Sequence, residues 1–301
     1  MALPAALLAA AACKSTDTAA KPPAPEVHGK GVLFKLSLAQ WSLHRALQKK
    51  ELDPLDFPRV ARREYDLDTV EYVNTFYKEH KTDDAYWKQL ARRCADHGVT
   101  SRLIMIDAEG SLGAANENER KQAVANHRRW LEIASQLRCK AIRVNAYGEG
   151  SPEEQRRRAA ASLHALGELG ATFGLYVIVE NHGGLTSNGA WMAELMRAAA
   201  HPRVGTLPDF GNFTLAEGQL YDRYTGVREM MPWARAVSAK SYDFDARGEE
   251  TTIDYRRMLK LVLTAGYHEH LGIEYEGERL SEHDGILATK KLLETIRAEL
   301  S

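Results

Sequence analysis

Residues 151–182, SPEEQRRRAAASLHALGELGATFGLYVIVENH, hold one helix–strand unit, and their reading decides how the rest of the chain is read. Ser151 followed by Glu153 and Glu154 is a helix start: a hydroxyl satisfies a free backbone N–H of the first turn, and acidic side chains complement the positive end of the helix dipole. Helical spacing then runs to Gly174, a residue that ends helices because it enters left-handed backbone conformations without steric cost. The next run, LYVIVEN, is short, apolar and of strand length. Its period of two sends Val177 and Val179 to one face and leaves Glu180 and His182 on the other.

Working outward, the same alternation fills the chain from about Val32. Short apolar runs read as strands: LFKLSLAQW, DTVEYVN, TSRLIMID, KAIRVNA, LYVIVEN, RVGTLPDF, RAVSAKSYDF and HLGIEYEG. Between them lie helical stretches such as DDAYWKQLARRCADHG and ENERKQAVANHRRWLEIASQL. Strand ends recur at intervals of about 30 to 40 residues, roughly one βα unit each. Strands alternating with helices imply a parallel sheet, and eight such units in about 270 residues match a closed barrel. A doubly wound open sheet would carry a Gly-rich phosphate loop after its first strand, and SLAQWSLHRAL has none. The expected fold is therefore α/β, a single (β/α)₈ TIM barrel over residues 32–301. In this reading His127 and Trp130, set among arginines, lie on a helix surface, and Cys94 and Cys139 are small buried thiols.

The 301 residues are 44% hydrophobic and 27% charged, with a formal charge of −1. That balance argues against nucleic acid as a partner, which calls for a basic excess or stripe. Three cysteines are too few and too scattered for a disulfide framework or a CxxC zinc site. Cys13 stands apart. It follows MALPAALLAAAA, a run too short to span a bilayer but suited to a signal-peptide core ending in small residues. Ala-Ala-Cys at its end resembles the lipobox of bacterial lipoproteins, with Ala in place of the usual Leu three residues before the cysteine and no Lys or Arg ahead of the apolar run. The resemblance implies a signal peptide over 1–13, lipidation of Cys13, a flexible polar tether over 14–31, and a periplasmic protein of the cell envelope whose membrane contact is the lipid anchor alone.

Barrel enzymes place their reacting groups at the C-terminal ends of the strands. Those ends carry Gln40, Glu71 with Asn74, Asp107 with Glu109, Arg143 with Asn145, Glu180 with His182, Asp209 with Asn212, Lys240 with Asp243, and Glu274 with Glu276. Alternation puts Ile142, Val144, Ile273 and Tyr275 outward, so Arg143, Asn145, Glu274 and Glu276 face the lumen. Carboxylates gathered at one mouth cost several kcal/mol each to desolvate unless a cation compensates. Two compensators are open: a divalent metal, or Arg143 and Lys240. Trp41, Phe76, Tyr147, Phe210, Phe213 and Tyr242 offer either an apolar wall for a sugar face or ordinary core packing.

VIVEN, TLPDFGN, SAKSYD and GIEYEG, on the last four strands, resemble the xylose isomerase-like superfamily of sugar phosphate isomerases and epimerases. The resemblance implies one divalent metal ion (Mn, Co, Mg or Zn) held by Glu180, Asp209 and Glu274. Ser238 falls where the family has His, leaving the fourth position to water, His182 or substrate, or leaving Lys240 to replace the metal's charge. It further implies isomerisation or epimerisation of a small carbohydrate or keto-sugar by proton abstraction beside a carbonyl. Glu180 and Glu274 would move the proton, and Lys240, His182 or Arg143 would stabilise the oxyanion. Glu71, Asn74, Asp107, Arg143, Asn145 and Asn212 are the expected substrate-binding residues. A lyase that expels the aglycone from a keto-glycoside, and a sugar-binding barrel without activity, are the other readings.

Overall fold

The eight apolar runs form strands β1 (Lys35–Ala39), β2 (Thr69–Val73), β3 (Thr100–Met105), β4 (Ala141–Val144), β5 (Tyr176–Glu180), β6 (Val204–Leu207), β7 (Val237–Ser241) and β8 (His270–Tyr275). They belong to a computed structural model that describes residues 32–301; Cys13, the expected signal peptide over 1–13 and the expected tether over 14–31 lie outside the described residues. The strands pair in parallel in the order β6-β5-β4-β3-β2-β1-β8-β7. Between β6 and β7 a regular ladder gives way to single bridges, Thr206 with Ala234 and Asp209 with Ser238. Pro208 accounts for part of this, because it has no N–H to donate. Its carbonyl still accepts from Ser238 N at 3.0 Å, and Phe210 N donates to Ser238 O at 3.2 Å.

Around the strands run α1 (Phe57–Tyr65), α2 (Asp84–His97), α3 (Glu117–Gln136), α4 (Pro152–Thr172), α5 (Gly189–Ala199), α6 (Arg223–Met230), α7 (Tyr255–Thr264) and α8 (Glu282–Leu300). Ser151 and Glu154 form a reciprocal capping box at the start of α4, and Gly174 follows its end at φ 71°. Thus the unit that sets the reading of the sequence forms as its residues dictate.

Side-chain alternation divides the core in two. Ile142, Val144, Val177, Val179, Ile273 and Tyr275 pack outward against the helices. Ala39, Val73, Leu103, Met105, Ala141, Ile178, Leu207 and Ala236 fill the lumen. Each large apolar side chain so buried contributes roughly 1.5–3 kcal/mol, and the filled lumen gives the strand-end residues a rigid floor. Cys94 and Cys139 are free and buried.

Two expectations need correction. His127 and Trp130 are not on a helix surface: they are 2% and 0% exposed. With Ala123, Leu131 and Ala134 they make the inward stripe of α3, which the neighbouring arginines disguise. Trp130 packs edge-on to Trp87 at 6.1 Å and donates to Glu109 at 2.7 Å. The region after β6 also adds a short antiparallel hairpin, Thr214–Ala216 with Gln219–Leu220, that strand rhythm did not foretell. Among the described residues no helix is long and apolar enough to cross a membrane.

Candidate functional site

Glu180 ends β5, Asp209 follows β6 and Glu274 lies on β8; one carboxylate oxygen from each falls within 4.8 Å of the other two. All three are buried. Asp209 Oδ1 accepts from the backbone N–H groups of Gly211 and Asn212 at 2.7 Å, a turn that fixes the side chain and leaves Oδ2 buried with no hydrogen-bond partner. Glu180 Oε2 is likewise without a hydrogen bond. It lies 2.8 Å from Arg143 Nε, but the two groups are not aligned for one, so the contact is purely electrostatic. Buried acceptors without a hydrogen bond are rare in folded proteins and call for a cause, which a bound ion or water would supply.

The cations present are shared. Arg143 Nη1 donates to Asp107 Oδ1 at 2.6 Å. Lys240 Nζ lies 3.1 Å from Glu276, 3.3 Å from Glu274 and 3.8 Å from Asp209. The carboxylates of Asp107, Glu180, Asp209, Glu274 and Glu276 therefore outnumber Arg143 and Lys240. The ionisation of the site reflects that excess. Burial, aided by neighbouring carboxylates, pushes Glu180 up to about 7 despite Arg143. Burial pushes Asp209 up to about 7 despite Lys240. Burial would raise Glu274 too, but Lys240 and the Ser238 hydroxyl outweigh it and hold that carboxyl below its ordinary value. A divalent cation suits this donor set: three buried carboxylates, two open oxygens and surplus negative charge.

The remaining expected residues separate by role. Asn212 reaches the centre, its amide 3.4 Å from Glu180 Oε1 and its carbonyl oxygen accepting from Lys240 at 3.3 Å. Asn145 donates to Asp107 Oδ1 at 2.8 Å. His182 stands outside the carboxylate triad, with the Tyr147 hydroxyl 2.6 Å from its Nδ1; burial, then Arg143 and Lys240, lower its pKa and keep it neutral. Asn74 is spent on the backbone of Asp107, donating to its carbonyl at 3.0 Å and accepting from its N–H at 2.9 Å. Glu71 sits deeper, taking the Ser37 hydroxyl at 2.6 Å where Gly272 leaves room for its carboxylate. Glu109 anchors Lys81 and Trp130, and Gln40 bonds Val73 N and Tyr77. Of the aromatic residues, Phe210 and Phe213 are core, while half-buried Trp41 and Phe76 stand 5.8 Å apart over the lumen cluster.

Asn181 is the positioning residue that strand-end reading passed over. Its amide donates to the carbonyls of Asp209 and Asn212, each at 3.0 Å, and its oxygen accepts from Asp209 N at 2.7 Å. The matching clamp of Asn74 on Asp107 shows one device used twice, an asparagine after a strand gripping the backbone beside the next strand's acid. The signal was present as Asn following the strand in both YVN and VEN.

A C-glycoside deglycosidase alpha subunit from Microbacterium trichothecenolyticum is 30% identical over 126 residues, 41% of this chain; the match spans about a third (34%) of that relative's length. The solved structure of the IOLI protein with a bound zinc atom superposes with a TM-score of 0.69 at 13% identity, over 88% of this chain and 98% of that one. The 3-keto-D-glucoside 4-epimerase of E. coli gives 0.61 at 15% identity, over 89% and 100%. These structural likenesses concern the fold. The family model described as xylose isomerase-like TIM barrel matches residues 60–298, and with the barrel and its strand-end carboxylates in view the chain belongs to that family.

Proposed function

We propose that the protein is a metal-dependent isomerase or epimerase acting on an unphosphorylated keto-sugar by proton abstraction beside the carbonyl. The observation that carries this reading is the convergence of Glu180, Asp209 and Glu274, with two buried oxygens left open. Those three residues would hold one divalent ion of the Mn, Co, Mg or Zn group. Such an ion supplies Lewis-acid polarisation of a carbonyl and its neighbouring hydroxyl.

Everything else falls to the chain's own groups. Glu274, fastened by Lys240 and Ser238, would take the proton. Glu180, in the same cluster, would return one. Lys240 is fixed by carboxylates on one side and Asn212 on the other, so its charge is preorganised for a developing oxyanion. Neutral His182, held by Tyr147, stands beside them as a further hydrogen-bonding group. The excess of carboxylates over Arg143 and Lys240 at the mouth favours an unphosphorylated substrate, and Lys81 and Arg279 are paired with Glu109 and Asp243. An envelope location on a lipid attached to Cys13 belongs to the same reading, since that compartment offers free sugars and glycosides.

A second outcome of the same proton abstraction is elimination of the aglycone from a keto-glycoside. The likeness to a C-glycoside deglycosidase subunit favours it. One experiment addresses both. A 3-keto-glucoside is incubated with protein and Mn²⁺ in deuterium oxide. Exchange into the sugar is expected from the wild type, falling at least about 100-fold in Glu180→Gln and Glu274→Gln. Undiminished exchange in both variants would overturn the proposal. Conserved substrate mass identifies the epimerase, and released aglycone the lyase.

A further inference from the structure

The opposite end of the barrel carries the reverse charge. At the N-terminal ends of the strands, Arg102, Lys140, Tyr176, Arg203, Arg235 and Glu269 surround a cavity of about 510 Å³. Glu269 is the one acid among the lining residues, set against four bases, in a chain whose formal charge is −1. The charge is thus local and not a reflection of composition.

Two features show that these bases are aimed. The β2–β3 register shifts between Val70 and Glu71, pairing Val70 with Ser101 and Glu71 with Leu103. Arg102 is the extra residue of this bulge. Ser101 turns outward to the Tyr72 hydroxyl at 3.0 Å, Leu103 turns into the lumen, and Arg102 is left to line the cavity, 3.3 Å from Glu269. Bulges re-aim side chains in this manner and persist where the new direction is used. Secondly, Arg203 and Arg235 stand over the Tyr176 ring at 4.9 and 5.0 Å. Arg235 Nε is buried and has no hydrogen-bond partner. Two guanidinium groups around one ring repel each other, and an unmet buried donor costs further free energy. A doubly charged oxyanion relieves both, and the planar donor fork of arginine matches phosphate.

We infer that the N-terminal mouth of the barrel is a second binding site, for a phosphate-type oxyanion, formed by Arg102, Lys140, Arg203 and Arg235 and separate from the carboxylate centre at the other mouth. The group is either inorganic phosphate or the phosphate of a small ester, for whose organic part a cavity of about 510 Å³ has room.

Calorimetry and thermal melts of the full chain with inorganic phosphate and with glucose 6-phosphate, each against sodium chloride at matched ionic strength, test this. Saturable binding is expected, weakened at least fivefold in Arg235→Gln or in Lys140→Gln; Lys140 is exposed, so that variant keeps its fold. Tighter binding of the ester assigns the site to an organic phosphate, and equal or tighter binding of inorganic phosphate assigns it to the free ion. The inference fails if neither probe saturates, if sodium chloride reproduces the effect, or if both variants bind as the wild type does. It also fails if Glu180→Gln, at the far mouth, abolishes phosphate binding.

Discussion

The Ser238 hydroxyl donates to Glu274 Oε2 at 2.8 Å, so the residue standing where the resembling family has histidine fastens a carboxylate instead of offering a strong ligand of its own. A hydrogen bond to an ionised group contributes about 1.5–3 kcal/mol. Ser238→Ala is therefore expected to weaken Mn²⁺ binding about tenfold or more. Ser238→His, which supplies an imidazole to the same centre, should tighten it. Titration calorimetry of the metal-stripped protein reads both.

Glu180 and Asp209 are both pushed up to about 7 by burial. The folded metal-free protein thus holds their protons more tightly than the unfolded chain does. Their contribution to stability is present at low pH and is lost as pH rises from the ordinary carboxylate range through about 7. Glu274 acts in the opposite sense, in a lower window, because its carboxyl is held below the usual value. Metal-free melts should therefore show a falling Tm between pH 5.5 and 8, and added Mn²⁺ should raise Tm more at pH 8 than at pH 5.5. A larger metal effect at the acidic end would contradict this assignment.

Lys240 is fully enclosed among Asp209, Glu274 and Glu276. Replacing it with Met leaves buried carboxylates without their nearest cation, a change that costs about 3–5 kcal/mol. Urea denaturation with chelator present should show that loss for Lys240→Met. Saturating Mn²⁺ should recover part of it, because the ion compensates the same charges.

Asn181 grips Asp209 from both sides of its peptide. Asn181→Ala should cost about 1–3 kcal/mol from the unmet backbone groups. It should also lower kcat more than it alters KM, because Asp209 loses its aim while the sugar-facing surface stays intact. Asn181→Asp, which keeps the acceptor and loses the donor, should fall between Ala and wild type.

The barrel was legible because its signals are local. Capping at Ser151, the stop at Gly174 and the alternation in VIVEN each act within a few residues, and their eightfold recurrence needs no knowledge of distant contacts. The acidic cluster was legible for a related reason: period-two alternation fixes which side chains enter the lumen, so Glu180 and Glu274 had to face the same space. What the chain concealed depends on depth and on partners far along the sequence. Whether Glu71 sits at the mouth or below it turns on its contacts with Ser37 and Gly272, from two other strands. The bulge that re-aims Arg102 arises from a register that no single strand encodes. Asn74 looks like a ligand-binding group, and Asn181 like nothing in particular, until the backbone of the adjacent strand is in place to occupy them.

Seven of the junctions between neighbouring strands are ladders, one of them bulged between β2 and β3, and the eighth, between β6 and β7, is a row of single stitches. Asp209 lies on one margin of it, while Glu274 is laddered to the other through β7. Whatever draws those two carboxylates together therefore also works as a clasp on the whole hoop, so that tightening the reaction centre and stiffening the fold become one event.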